Sequence, residues 1–163
     1  MAADVQIHEM TGNSAGVNKT SGTVRFKSAN ETSVDANNRL QIPASGTTYS
    51  YTKQLRFYFN TAPSVDIRNL RAYTDGTNNF GTDVGVQYTL SSAFSANVNT
   101  NISGTNIFTK TAGSPISMDA LNTGPHTSTG YKGDFLRIQM SITSSSVPGQ
   151  LTAETLTFAY DET

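Results

Sequence analysis

The chain has 163 residues, 14% of them charged, and a formal net charge of −1. This near-neutral balance argues against nucleic acid or an anionic membrane as partner, and the lack of cysteine excludes disulfides and thiolate metal sites. Residues 1–10 lack the basic and apolar regions of a secretory signal peptide, and no apolar run reaches membrane-spanning length. We therefore expect one domain, made in the cytoplasm without an export signal and without a cofactor.

Residues 1–20 are predicted to form an N-terminal arm ahead of a domain over residues 21–163. Val5 and Ile7 alternate with polar residues, Met10 follows, and a stretch rich in glycine, serine and asparagine comes next. Such a segment either pairs as an edge strand of its own domain or reaches onto a neighbouring subunit. For the second case we expect Val5, Ile7 and Met10 to be the docking residues.

Period-two alternation of apolar and polar residues predicts eight to ten short strands. They cover residues 23–28, 39–42, 49–59, 65–73, 84–90, 107–110, 116–118, 134–143 and 155–160. The first would point Val24 and Phe26 inward and Arg25 and Lys27 outward.

Two breaks in the alternation carry further predictions. Lys53 interrupts an apolar series, so the first half of the 49–59 segment is expected to be a separate edge piece. In the 65–73 segment the apolar parity switches at Arg68-Asn69, which predicts a β-bulge.

Long polar connections between these strands suit strands that cross between two sheets. The fold is therefore predicted as an all-β antiparallel β-sandwich, jelly-roll-like or immunoglobulin-like. Without a Cys–Trp–Cys pattern, a true antibody-type domain is excluded. We expect the loops 91–104 and 121–131 to lie against neighbouring subunits, the first with its apolar residues Phe94, Val98 and Ile102.

A hydrolase could use His126 as base, with Ser128 or Ser117 as nucleophile and Asp119 or Asp134 as orienting acid. No Gly-x-Ser-x-Gly elbow supports this arrangement. The more ordinary interpretation of His126 is a solvated histidine in a hydroxyl-rich loop.

Oxygen ligands cluster in one loop as Asp75, Asn78, Asn79 and Asp83, which makes them calcium candidates. The spacing lacks the regular Asp-x-Asp-x-Asp-Gly pattern and the distal glutamate of a calcium loop. Asp-Gly and Asn-Asn are also ordinary turn residues, so turn formation is the alternative interpretation.

Two other surfaces are open to prediction. Exposed Tyr58, Tyr73 or Tyr131 could stack on sugar rings. The more ordinary interpretation is that these tyrosines are buried in the core. Arginines at or near outward strand positions could form a cationic sheet face for a partner; these are Arg56, Arg68, Arg71 and Arg137.

Three segments together carry a resemblance to a known class of protein. They are ADVQIHEMTG at 3–12, IRNLRAYTDG at 67–76 and LTFAYDE at 156–162. The chain resembles small tailed-bacteriophage virion proteins of the head-decoration (cement) or tail-associated kind. The resemblance implies a β-rich oligomeric subunit that binds the major capsid protein or other virion subunits of an assembled shell. It also implies stabilisation without catalysis, and it assigns no functional residue.

The leading hypothesis is therefore a non-enzymatic virion protein, a capsid decoration protein located on the particle. A carbohydrate-binding or adhesion module on a tail or fibre is the second hypothesis, and a hydrolase built on His126 is the third.

Overall fold

The computed structural model describes residues 2–149 and 151–163. Within them the chain is all-β, as predicted, with a single 3₁₀ turn at Ile107–Thr109. The strands are β1 (Val5–Met10), β2 (Gly16–Asn18), β3 (Thr47–Tyr49), β4 (Lys53–Phe59), β5 (Ile67–Tyr73), β6 (Val84–Ser91), β7 (Thr105–Asn106), β8 (Ile116–Ser117), β9 (Gly130–Thr143) and β10 (Thr157–Glu162). In this part of the chain no helix has the length and apolar character needed to span a bilayer.

The strands form two antiparallel sheets. The larger sheet has the order β2-β1-β4-β9-β6-β7, with β3 also paired to β9. The smaller sheet has the order β10-β5-β8. β3 and β4 are separate strands that pair with different parts of β9, which confirms that the 49–59 segment is divided ahead of Lys53.

One hydrophobic core lies between the two sheets and takes side chains from both. Leu55, Phe57 and Phe59 alternate along β4 and are all buried, because successive side chains of a strand point to opposite faces. The ring of Phe57 meets that of Phe158 on β10 edge to face, with centroids 5.5 Å apart. Two antiparallel sheets that share a core in this way are consistent with a β-sandwich.

The N-terminal segment is an integral strand of the larger sheet. β1 pairs with β4 from Val5 opposite Phe59 to Glu9 opposite Leu55, and β2 covers its other edge. Met10 is 1% exposed. The own-domain alternative is therefore confirmed. The docking role expected for Met10 is corrected, because its side chain is buried within its own subunit. Docking through Val5 and Ile7 stays a prediction.

The predicted bulge in β5 is present. Its register with β10 shifts by one residue between the pairs Arg71–Ala159 and Arg68–Asp161. Asn69 adopts a positive φ of 53° there, a conformation that asparagine tolerates better than most residues. The shift places Ile67, Leu70 and Ala72 in the core although their parity differs.

Residues 19–42 contain no strand, in contrast to the predictions for residues 23–28 and 39–42. We call this stretch the wrapping segment, because Val24, Phe26, Leu40 and Ile42 pack against the core without regular secondary structure. Lys27, predicted to point outward, is fully buried. The expected strand at 107–110 is likewise replaced by the 3₁₀ turn.

Candidate functional site

A groove lies between β1 of the larger sheet and β10 of the smaller sheet. We call it the edge groove; its volume is about 270 Å³. It is lined by Val5, Ile7, Thr20, Phe57, Leu156, Thr157, Phe158 and Tyr160. Of the three predicted docking residues, Val5 and Ile7 line this groove and Met10 does not.

The groove is open because its apolar side chains are not completely covered. Val5, Leu156, Phe158 and Tyr160 are all half-buried, and each packs against the core on one side. The alternation of residues 156, 158 and 160 predicts the strand but does not reveal this partial exposure. Partial exposure arises because β10 lies at the margin of the smaller sheet.

Among the described strands, β10 pairs with β5 alone. A strand at the margin of a sheet can accept a further strand through backbone hydrogen bonds. At one end of the strand Glu162 Oε1 accepts a hydrogen bond of 2.8 Å from the backbone N–H of Ala3. This contact fixes the beginning of the N-terminal segment beside the groove.

The apolar residues of the first long loop lie against their own subunit. The ring of Phe94 meets that of Phe135 at 6.2 Å, and Val98 exchanges hydrogen bonds with Thr52. We call residues 92–104 the outer loop, because it covers the outer face of the larger sheet. Phe94, Val98 and Ile102 are half-buried, so binding of a partner through them stays a prediction.

The outer loop is held by a row of buried amides on the sheet. Gln139 Nε2 donates to the carbonyl oxygens of Ser50 at 2.9 Å and Thr100 at 3.0 Å. Its Oε1 accepts from the backbone N–H of Ile102 at 3.2 Å. Gln54 Nε2 similarly donates to Asn97 Oδ1. These contacts make the loop part of the rigid body.

The structure brings together one pair of the proposed hydrolase residues. His126 Nε2 lies 2.8 Å from Asp119 Oδ1, and the backbone of His126 exchanges two hydrogen bonds with Ile67. Asp119 Oδ2 also accepts from the backbone N–H of Leu70. The pair therefore connects the second long loop to β5.

The remaining hydrolase candidates lie outside that pair. Ser128 Oγ accepts a hydrogen bond from Lys132 Nζ. Asp134 is fully buried and accepts from the backbone N–H groups of Leu121 and Asn122. Within the described residues neither Ser128 nor Ser117 hydrogen-bonds to His126, whereas an activated serine requires that contact.

The calcium candidates form turns. Asp75 Oδ1 accepts from the backbone N–H of Thr77. Asn78 Oδ1 accepts from Phe80 N–H, and its Nδ2 donates to Val84 O at 2.8 Å. Among residues 2–149 and 151–163, no three histidine, aspartate or glutamate side chains are grouped as metal ligands.

Asn79 and Asp83 have other contacts. The backbone N–H of Asn79 donates to Glu154 Oε1, and the Asp83 carboxylate accepts from the Thr82 hydroxyl. The four candidates thus form local turn contacts, and Asn79 also contacts the segment before β10.

Two of the three tyrosines share a site. His8 stacks on Tyr58 with ring centroids 4.6 Å apart, and His8 Nδ1 lies 3.0 Å from the hydroxyl of Tyr131. His8 Nε2 lies 3.0 Å from Gln6 Oε1. Burial lowers the pKa of His8 and raises that of Tyr131. Tyr73 lies elsewhere, at the end of β5.

The four arginines do not form one cationic face, which corrects that expectation. Arg56 and Arg137 belong to the larger sheet, whereas Arg68 and Arg71 belong to the smaller one. Desolvation lowers the pKa of both Arg56 and Arg137.

Three of these arginines have identified partners. Arg56 lies over the ring of Phe135, 4.3 Å from its centroid. The other two form ion pairs, Arg68 with Asp66 and Arg71 with Asp161. Arg68 and Arg71 are therefore each paired with an acidic residue of the same chain.

Comparison with known proteins adds no assignment to this geometry. The sequence matches no protein-family model, and neither a curated protein nor a solved structure matches the chain.

Proposed function

We propose that the chain is a non-enzymatic structural protein of a tailed-phage particle, a capsid decoration subunit that binds the outside of an assembled shell. The observation that carries this proposal is the edge groove. Its half-buried apolar side chains lie beside β10, the strand at the margin of the smaller sheet among the described residues. A groove next to a free strand edge offers a partner both apolar contacts and main-chain hydrogen bonds. The resemblance to head-decoration proteins supports the same role.

The proposed partner is the major capsid protein or another virion subunit, and the proposed solution state is a homo-oligomer. Contacts repeated across a symmetric lattice give firm attachment even when each is weak. The proposal includes a jelly-roll-like or immunoglobulin-like sandwich. In such a body a groove at the sheet edge keeps its shape while the partner binds, which limits the entropic cost of association.

The test is cosedimentation of the full chain with shells assembled from the major capsid protein encoded in the same genome. We expect the chain to pellet with shells at a fixed stoichiometry and to raise the temperature at which the shells dissociate. The unassembled capsid protein is the control and should bind much more weakly, because it offers no lattice. A chain that stays in the supernatant, or that binds isolated tails in place of shells, would overturn the proposal.

A further inference from the structure

A second depression lies where β5 ends and β10 begins, and the function proposed above makes no use of it. We call it the loop cleft. Its volume is about 480 Å³, within the range of about 300–1,000 Å³ that is typical of small-molecule sites. Tyr73, Asp75, Asn79, Thr111, Glu154 and Thr155 are among its lining residues.

The walls of the cleft are fixed to one another by hydrogen bonds. Thr74 donates from both its backbone N–H and its hydroxyl to the carbonyl of Lys110, which holds the end of β5 against the 111–114 turn. Asn79 N–H donates to Glu154 Oε1, which joins the 74–83 loop to the segment before β10. A cleft connected in this way is formed before any ligand arrives, which limits the ordering cost of binding.

Polar groups inside the cleft are free to bind a ligand. In the described part of the chain, no protein hydrogen bond engages the side-chain amide of Asn79 or the hydroxyls of Thr111 and Thr155. One oxygen of Asp75 and one of Glu154 are also unengaged, since each carboxylate uses only its Oδ1 or Oε1. The cleft therefore offers both donors and acceptors.

The composition of the walls selects the chemistry of the ligand. No lysine, arginine or histidine is among the described residues that line the cleft, so a phosphate or carboxylate ligand would find no countercharge and would face Asp75 and Glu154. A divalent cation would find only these two carboxylates, and no group of three metal-binding side chains occurs among the described residues. Carboxylates, an amide and hydroxyls beside a tyrosine ring instead match an uncharged polyol, whose hydroxyls hydrogen-bond and whose C–H face packs on the ring.

We propose that the loop cleft binds an uncharged saccharide directly, without a bridging metal ion. Tyr73 provides the surface for the sugar ring, Asn79 donates through its amide, and Asp75 and Glu154 accept from sugar hydroxyls. Thr157 lines both depressions, but Tyr73 and Asn79, which carry this inference, do not line the edge groove.

The test is a glycan array probed with the full chain, carrying uncharged oligosaccharides beside sialylated and sulfated ones, with and without a chelator. We expect chelator-resistant binding to uncharged glycans. For the strongest of them, Tyr73→Ala and Asn79→Ala should each weaken binding about tenfold in calorimetry. Asn79→Ala changes an exposed loop side chain, so it tests the site even if Tyr73→Ala fails to fold.

Tyr160→Ala is the matched control, because Tyr160 lines the edge groove and not the loop cleft. It should retain glycan binding, while Asn79→Ala should retain shell binding. The proposal would be overturned if the array showed no binding, if only charged glycans were recognised, or if the signal were lost on chelation. Unchanged affinity in both cleft variants would overturn it as well. Since the two sets of variants affect different ligands, failure here is distinguishable from failure of the decoration role.

Discussion

Lys27 Nζ lies 2.6 Å from Glu31 Oε1 in a position where the lysine side chain is only 1% exposed. The same ammonium group lies 2.9 Å from Ser33 Oγ and 2.8 Å from Asp35 Oδ1. The three acceptors are spaced two residues apart, so the 31–35 loop encloses the charge. Lys27 therefore organises the loop around itself, much as a bound cation would.

Other basic side chains also bind the 31–35 loop. Lys19 Nζ donates to Thr32 O at 3.0 Å, and Lys53 Nζ donates to Glu31 O. Arg25 donates to the carbonyl oxygens of residues 34 and 35. Cationic donors thus satisfy backbone carbonyls that a strand would have paired, which explains how the wrapping segment is ordered without regular secondary structure.

Lys27→Met is predicted to loosen the wrapping segment, because it removes the shared partner of Glu31 and Asp35. We expect a lower melting temperature and faster amide hydrogen exchange over residues 28–38. Lys110→Met is the control, since Lys110 makes no ion pair among the described residues. Equal exchange rates in the Lys27 variant and the wild type would contradict this role.

A pH dependence is predicted for His8. Burial lowers its pKa below the ordinary value of 6.5, so the unfolded chain takes up a proton at a pH where folded His8 is still neutral. The contribution of neutral His8 to the free energy of unfolding is complete above pH 6.5. This contribution is lost as the pH falls from 6.5 through the lowered pKa.

Urea unfolding of the wild type and of His8→Phe, which keeps a ring against Tyr58, measures this effect. When the pH is lowered from 7.5 to below 6.5, the unfolding free energy of the wild type should decrease more than that of the variant. Identical losses would show that His8 is not the group responsible.

Gln139→Leu is predicted to release the outer loop. The variant leaves the carbonyls of Ser50 and Thr100 without their buried donor, and such a loss costs about 2 kcal/mol of unfolding free energy. Limited proteolysis should then cut within residues 92–104. Gln41→Leu is the control, because Gln41 is exposed and its replacement should change neither readout. A Gln139 variant with unaltered stability and cleavage would show that Gln139 does not hold the outer loop.

The N-terminal strand is predicted to be required for folding. Met10→Ala should cost about 3 kcal/mol, in the usual range for removing a buried methionine side chain, and deletion of residues 2–16 should abolish cooperative unfolding. Val17→Ala in the neighbouring edge strand should have little effect, since Val17 is 42% exposed. A folded, cooperative deletion variant would instead support a detachable arm.

The sequence predicts those features that depend on local alternation. The alternation of apolar and polar residues from Leu136 to Ile142 identifies β9, and the parity switch at Asn69 identifies the bulge. Alternation assigns Gln139 to the face opposite the core but does not reveal that the outer loop covers it. Alternation likewise assigns Lys27 to the outward face. It does not reveal the acceptors that surround Lys27, because they lie in the 31–35 loop, which has no regular pattern.

The candidate sites depend even more on distant parts of the chain. Val5 and Tyr160 line the edge groove together, and Tyr73 and Glu154 line the loop cleft. No spacing rule connects residues so far apart in sequence. Individual members such as Val5, Tyr73, Asp75 and Asn79 are recognisable as candidates, whereas their grouping requires the sheet order.

The edge groove is the central claim, and cosedimentation of groove variants with assembled shells tests it most directly. Leu156→Ala and Tyr160→Ala shorten groove side chains, while Val147→Ala changes a side chain that is 84% exposed and lies outside the groove. Thermal melting establishes that each variant is folded. We predict that both groove variants lose shell binding and that Val147→Ala retains it; full binding by folded groove variants would contradict the account.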